Sequence, residues 1–204
     1  MTRINKAITA LGLFLLLLAV GWAGWNLYDE ARAGREARQL AQQLQAVQQQ
    51  ATPAPVEPAQ PEAPAYVLDP ELPMPVVNVD GNEYIGMLEI PELALELPVF
   101  SDWDYDKLKQ APCRYQGSAY KDDLIIMGHA YKKHFSPLKK LEPGAEIRFT
   151  DADENLFVYT VDSTEVMEPT AIEQMESGDW DLTLFTCTNN GAARFAVRCS
   201  RMDG

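Results

Sequence analysis

The sequence predicts a mainly β domain, closed or nearly closed into a barrel with a few short helices, preceded by an N-terminal transmembrane helix and a stalk. Short apolar or alternating segments of strand length recur through the C-terminal part of the chain, separated by turn residues. An uncharged stretch, residues 7–28, has the length of a membrane span, which takes about 20 residues. A segment holding eight of the 14 prolines separates the two parts.

The uncharged stretch is expected to be an uncleaved anchor. Residues 1–6, which include Arg3 and Lys6, are expected in the cytoplasm, and aromatic residues mark the outer end of residues 7–28, as is common at a membrane interface. A cleaved signal peptide is the alternative. The apolar run is long for one, and the small-residue site at 31–33 contains an arginine.

The segment that follows the anchor is expected to be a helical stalk over residues 29–50, because it is rich in good helix formers. An apolar stripe between Leu40 and Val47 suits a stalk or a short coiled-coil seam. Residues 51–76 are expected to form a Pro-rich, semi-rigid linker. Anchor, stalk and linker together would hold the domain, residues 77–204, away from a membrane.

Within the domain, apolar periodicity and turn residues predict seven strands and two short helical segments. The predicted strands are 84–90, 93–100, 124–127, 146–150, 156–161, 182–185 and 194–199. The predicted helical segments are 103–110 and 170–175.

Two histidines limit the search for an acid–base group. His129 follows an apolar strand directly, where a rigid sheet can hold it against a cleft. His134 lies in a locally basic turn and is expected to be exposed. His129 is therefore the preferred candidate, although either residue taken alone could be structural.

The three cysteines leave at least one thiol free or paired with another chain. Cys187 ends a predicted strand just before a turn-prone stretch, and Arg194 opens the next strand, so a short hairpin would bring the two together. Taken alone, Cys187 could equally be a packing residue. Cys113 and Cys199 are expected to be buried thiols, with a disulfide between them as the alternative.

Residues 183–187, with the sequence TLFTC, resemble the sortase signature T-L-x-T-C at every fixed position. Sortases also place a histidine well upstream, after a strand, and an arginine on the strand after the cysteine; His129 and Arg194 match in order and context. The segment 135–147 is similar to the one that follows the family's histidine. The resemblance covers residues 77 to 204 and implies the sortase β-barrel. The subclass stays open, with a class B-like member among the options.

The resemblance implies a cysteine transpeptidase. Cys187 would attack the scissile carbonyl and form a thioester, and His129 would protonate the leaving amine and deprotonate the incoming one. Arg194 would donate hydrogen bonds to the oxyanion or to the substrate backbone. Arg198 is the competing arginine, because it can share a strand face with Arg194, but the family pattern favours Arg194. The loop 165–181 would help to set donor specificity.

By the same resemblance, the donor is a surface protein with an LPXTG-like C-terminal sorting signal, and the acceptor is an amine on a cell-wall precursor or a pilin. These substrates lie outside the membrane of a Gram-positive cell, so a single-pass chain with an extracytoplasmic domain is expected; the charges flanking the span leave the orientation open. The net charge of −13 argues against nucleic acid as a partner. No cofactor or metal is expected, because acidic clusters such as 102–106 and 151–154 lack the EF-hand loop pattern.

Two other functions compete with this interpretation. One is a different cysteine peptidase; papain-like enzymes, however, place the cysteine before the histidine, and residues 185–188 do not match the S-H-G-C pattern of L,D-transpeptidases. The other is a non-catalytic display or adhesion domain on a stalk. That function predicts an unreactive Cys187.

Overall fold

One sheet closes on itself to form the barrel, and most of its strands lie where apolar runs or apolar alternation predict them. The computed structural model describes residues 3–51, 64–188 and 191–202, so part of the predicted Pro-rich linker (52–63) and the predicted turn at Asn189 and Asn190 lie outside the described residues. The strands are β1 Val77–Val79, β2 Asn82–Ile90, β3 Leu95–Phe100, β4 Cys113–Gln116, β5 Leu124–Met127, β6 Glu146–Asp151, β7 Leu156–Met167, β8 Leu182–Cys187 and β9 Arg194–Arg201.

Closure of the sheet depends on β2, which pairs with both β3 and β6. The strand order β1-β2-β3-β4-β5-β8-β9-β7-β6 therefore becomes a ring of eight strands, β2 to β9, with β1 added beside β2. Gly86 permits the closure: its φ is 153°, and a Cβ there would lie 2.0 Å from the carbonyl oxygen of Thr150 on β6. The closed β-barrel predicted from the sequence is confirmed.

The predicted elements differ from the observed ones mainly in length. All seven predicted strands are present, and β7 continues to Met167. Strands β1 and β4 were missed, because neither contains the continuous apolar run that marks the equally short β5. Helices α3 Tyr105–Leu108 and α4 Ile172–Glu176 lie close to the predicted helical segments. Asp104 caps α3 by accepting hydrogen bonds from the amides of Asp106 and Lys107.

Part of the predicted linker packs on the domain. A short helix, α2 Ala65–Leu68, carries Tyr66, whose ring stacks on Tyr120 with centroids 4.5 Å apart. Met74 is buried in the barrel core. The chain therefore joins the folded core before Val77, the boundary expected from the sequence, because these two apolar side chains find partners in the barrel.

The N-terminal helix, α1 Arg3–Ala51, runs through both the predicted span and the predicted stalk without a break. Its side chains from Leu11 to Tyr28 are exposed. Beyond them, Ala33, Ala37 and Ala41 are buried at a spacing of four, which puts them on one face.

This buried face of α1 packs on the barrel near β1 and β3. Leu44 is fully buried in a cluster that includes Tyr84 and Phe100, and Leu40 and Val47 pack against it. The apolar stripe thus contacts the barrel and not a second helix. The small alanine side chains let this part of the helix lie directly on the barrel wall, and the spacing of the domain from a membrane stays a prediction.

Candidate functional site

Three strand ends meet at one end of the barrel. Strand β5 runs parallel to β8, and the Gly128 amide donates to the Phe185 carbonyl at 3.0 Å, so the pairing continues past the end of β5. His129 and Cys187 each lie two residues beyond the last pair of this register, Met127 with Phe185, and both line one cleft. On the other side of β8, Arg194 pairs directly with Cys187. We call these three residues the open row; neighbouring strands in a sheet lie about 4.8 Å apart.

The side chains of the open row share the outer face of the barrel. Val197 on β9 points into the barrel core, whereas Phe185 and Ala196 belong to an apolar cluster on the outside. Cys187 lies two residues after Phe185, and Arg194 two residues before Ala196, so both face outward. Cys187 is exposed and Arg194 is partly exposed. The row is therefore accessible to a substrate.

Cys187 lines three depressions, and two of them differ clearly in character. The first, the apolar groove, has a volume of about 260 Å³ and lies on the side of Arg194. Its apolar walls include Trp103, Tyr115, Met127, Ile172, Met175 and Phe185. The second, the histidine cleft, is lined by His129 and by Asn26 and Glu30 of helix α1. The thiol thus faces apolar surface suited to a peptide on one side and a titratable group on the other.

His129 is partly buried, and this burial lowers the pKa of its imidazole; the charge of Asp29 acts to raise that pKa and the charge of Lys109 to lower it. The buried Nδ1 has no hydrogen-bond partner among the described residues. The ring of Tyr131 stacks on the imidazole, with centroids 4.0 Å apart and planes 9° from parallel. Sequence reasoning missed Tyr131 and Asp29. An aromatic residue two positions after the candidate histidine, and a carboxylate just past the span, were the available signals.

The two candidate arginines have different surroundings. Arg198 is buried, and its guanidinium donates to the Glu165 carboxylate, the Thr183 hydroxyl and the carbonyls of Gln174 and Met175, at 2.6 to 3.0 Å. It ties β9 to β7, β8 and α4. The side chain of Arg194 makes no hydrogen bond or ion pair with any residue that the structure describes. Arg194 is therefore the arginine free to contact a substrate.

His134, expected in an exposed turn, is fully buried. Helix α1 covers this loop: a Cβ on Gly34 would lie 2.7 Å from Cγ of Lys133, the neighbour of His134. Burial lowers the pKa of His134 to about 4, against the opposing effect of the Ala33 backbone. The prediction of an exposed His134 is wrong, because the sequence did not show that the helix packs on this loop.

The three cysteines also differ in exposure. All three are free, so the alternative of a Cys113–Cys199 disulfide is not realised. Cys199 is buried in the barrel core and Cys113 in the cluster beneath α1. Burial raises the pKa of both thiols, that of Cys113 to about 12. Only Cys187 is exposed, and only an accessible thiol can become a reactive thiolate.

The acidic clusters noted in the sequence form local contacts. Asp102 pairs with Lys107 at 2.6 Å. Asp151, expected at the surface, is buried; it accepts from the Tyr120 hydroxyl at 2.7 Å and from the amides of Asp153 and Asn155 at 2.9 Å. These carboxylates shape turns at the ends of their elements.

Fold and site together define a closed β-barrel with a cysteine, a histidine and an arginine in one row at its end. A family model described as the sortase domain matches residues 88–202, more than half of the chain. The chain belongs to the sortase family.

Two curated relatives agree with this membership. The chain is 29% identical to Sortase D of Bacillus subtilis (strain 168) over 107 residues, which are 50% of this chain and 53% of that protein. It is 29% identical to Sortase A of Bacillus anthracis over 128 residues, 59% of this chain and 60% of that protein. The matches thus span somewhat more than half the length of each relative.

Solved structures show the same fold. Sortase C1 from Streptococcus suis superposes with a TM-score of 0.52 and 26% identity, over 59% of this chain and 74% of that one. Sortase C from Clostridium perfringens SM101 superposes with a TM-score of 0.52 over 87% of this chain and 91% of that one; at 19% identity this likeness concerns the fold alone. The relatives carry the letters A, C and D, so they do not fix a subclass.

Proposed function

We propose that this chain is a membrane-anchored transpeptidase that forms a thioester on Cys187 and transfers the acyl group to an amine. The observation that supports this proposal is the position of Cys187, which pairs with Arg194 across β8 and β9 and lines one cleft with His129, in a member of the sortase family. We assign all three as catalytic residues.

In the first half-reaction, the Cys187 thiolate attacks the scissile carbonyl, so that an S–C bond forms and the carbonyl π pair moves to oxygen. Arg194, whose charge does not titrate, donates hydrogen bonds to this oxyanion. When the oxyanion collapses, the C–N bond breaks and the imidazolium of His129 gives its proton to the leaving amine. The products are a thioester on Cys187 and the released C-terminal peptide.

In the second half-reaction, the acceptor amine attacks the thioester carbonyl through its nitrogen lone pair. The neutral imidazole of His129 takes a proton from that nitrogen, and the S–C bond breaks, which returns Cys187 to the thiolate. The enzyme regains its starting protonation state. Both the leaving and the incoming amine must therefore reach the histidine cleft.

The apolar groove supports a peptide as donor. The connection between β7 and β8 supplies part of its wall, including Pro169 and the exposed Ile172. This connection corresponds to the loop 165–181 that the sequence linked to specificity. We propose that the donor is a surface protein with an LPXTG-like sorting signal, and that the acceptor is an amine on a cell-wall precursor or a pilin.

The apolar part of α1 supports a membrane location. The helix contains a window with a mean hydropathy of 1.6 whose residues are not buried in the protein, long and apolar enough to cross a membrane. An extracytoplasmic domain follows from the proposed substrates, which lie outside the cell membrane. The proposed organisation is 1–6 cytoplasmic, 7–28 spanning, 29–50 a helix docked on the barrel, 51–76 a linker and 77–204 catalytic.

The test is thioester formation by the full chain in lipid nanodiscs. Incubation with a library of peptides bearing LPXTG-like pentapeptides should add the mass of the N-terminal peptide fragment to the protein, at Cys187, as seen by intact-mass and peptide mass spectrometry. An added amine should remove the adduct and appear in the product.

The control is Cys187→Ala, which should form no adduct while keeping the thermal stability of the wild-type chain. A folded wild-type chain that gives neither adduct nor transfer across the library, and whose Cys187 resists alkylation, contradicts the proposal and favours a display domain.

A further inference from the structure

Helix α1 contacts the loop that carries His129. The Tyr131 hydroxyl donates to Oδ2 of Asp29 at 2.8 Å. The residues that follow these two are also paired: the Lys132 ammonium lies 3.0 Å from the Glu30 carboxylate. Asp29 and Glu30 directly follow the apolar segment of the helix, so the proposed anchor and the proposed active site are connected through two successive side-chain contacts.

The imidazole of His129 needs something to fix its orientation. A catalytic histidine commonly owes its orientation to a hydrogen bond at the ring nitrogen that does not react. Nδ1 of His129 is buried and has no such partner within residues 3–51, 64–188 and 191–202. The parallel ring of Tyr131, 4.0 Å away, is the contact that can fix the plane of the imidazole.

Tyr131 is itself held from two sides. Its ring meets His134 edge-on, with centroids 5.4 Å apart and planes at 68°. Burial, and then the bond to Asp29, raise the pKa of Tyr131 to about 12, so the phenol keeps its proton and continues to donate. The anionic Asp29 also lies close enough to favour a charged imidazolium on His129, and the π face of Tyr131 does the same.

We propose that Tyr131 is a positioning residue for His129 and that Asp29 of helix α1 holds Tyr131 in place, so that the N-terminal helix completes the active site. The kinetic consequence rests on the proposed transpeptidase function; the contact itself does not. Other charged or titratable groups near this cluster are Lys109 and His134, which face His129, and Arg32 and Glu36, which face Tyr131.

The experiment uses the full chain in lipid nanodiscs and three variants of the contact. Tyr131→Phe keeps the stacked ring and loses the bond to Asp29, Tyr131→Leu loses both, and Asp29→Asn removes the charge. Asp80→Asn is the matched control, because Asp80 accepts a helix-to-barrel hydrogen bond from Gln43 of α1 at 3.3 Å outside the histidine cleft.

The first measurement is an NMR titration of the imidazole Cε1–H resonances, which are simple to assign because the chain has two histidines. Asp29→Asn should lower the pKa of His129, since an anion that favours its charged form is lost, and Asp80→Asn should leave it unchanged. A merely structural role for Asp29 predicts no difference between these two variants.

The second measurement is the rate of acyl transfer. We expect kcat to fall between about 10- and 100-fold in Tyr131→Leu, because the general acid–base group is misplaced, with the donor KM within about twofold of wild type. Tyr131→Phe should lie between wild type and Tyr131→Leu. Asp80→Asn should match wild type.

The outcomes separate the two proposals. If the wild-type chain transfers no acyl group, the transpeptidase function fails, yet a lowered His129 pKa in Asp29→Asn still supports the contact. If transfer is normal while Asp29→Asn and Tyr131→Phe leave both the His129 titration and kcat unchanged, the positioning role is overturned. Should Tyr131→Leu fail to fold, as judged by circular dichroism, Asp29→Asn decides the question.

Discussion

Two regions of the molecule use the same residue types for different purposes. In the open row, Arg194, His129 and Cys187 lie at the end of the barrel, accessible or partly accessible. Under the helices that cover the barrel, Arg198, His134 and Cys113 are buried. Residue type does not separate the two groups. What separates them is whether a helix or a loop covers that part of the barrel wall.

Two arginines show how close the open row lies to the covered region. Arg194 and Arg198 lie on one strand and on one face of it, four residues apart. Helix α4 and the segment around it cover Arg198 and offer it backbone carbonyls, whereas the cover ends before Arg194. One guanidinium therefore stabilises the fold, and the other remains available for a substrate.

Removal of the covered arginine should have the largest effect. Arg198→Ala removes the side-chain donor to the carbonyls of Gln174 and Met175 and the ion-pair partner of Glu165. We expect it to lower the free energy of unfolding by about 3–5 kcal/mol. Chemical or thermal denaturation, followed by circular dichroism, measures this. The matched control is Arg148→Ala, which breaks an exposed pair with Glu146 and should cost at most about 1 kcal/mol. Equal losses in the two variants would contradict a structural role for Arg198.

Removal of Arg194 should have the opposite effect: the reaction rate should fall while stability stays almost unchanged. Arg194→Ala should reduce the rate of thioester formation by about 10²–10³-fold, because a donor to the oxyanion is lost. Its free energy of unfolding should stay within about 0.5 kcal/mol of wild type, since the residue has no hydrogen bond or ion pair among the described residues to lose. Arg194→Lys should recover part of the rate, because the charge remains but the planar pair of donors does not. An Arg194→Ala variant with full activity would remove Arg194 from the mechanism.

The sequence predicted the strands and helices well, but it did not predict which helix or loop packs over each part of the barrel. Apolar alternation marks strands such as β6, and apolar runs mark strands such as β5 and β8, which are buried on both faces; together these patterns mark seven of the nine strands. The order of His129, Cys187 and Arg194 along the chain matched the family pattern, and strand register then aligned them. Neither the apolar pattern nor the family pattern predicts the contacts that α1 makes. A stripe such as Leu40 to Val47 shows that one helix face is buried, but not which surface buries it, so the covering of His134 and the contact of Asp29 with Tyr131 were missed.

The two histidines should differ in how they affect stability with pH. His134 has a folded-state pKa of about 4, below the ordinary histidine value of about 6.5, because burial disfavours the charged ring. The unfolded chain therefore binds a proton at this residue at a higher pH than the folded chain does. The stability due to His134 is complete above about pH 6.5 and is lost as the pH falls toward 4, by about 2 kcal/mol at pH 5.

His134→Leu should abolish that loss in thermal unfolding of the full chain between pH 7 and pH 5, because leucine fills a similar volume without a titratable ring. His129→Gln should retain most of the loss, since His129 is less deeply buried and sits in the open row. If wild type and His134→Leu lose stability in parallel over this range, His134 is not kept neutral by the helix. The two histidines would then not show the difference in stability effect between covered and open positions that is expected of the two arginines.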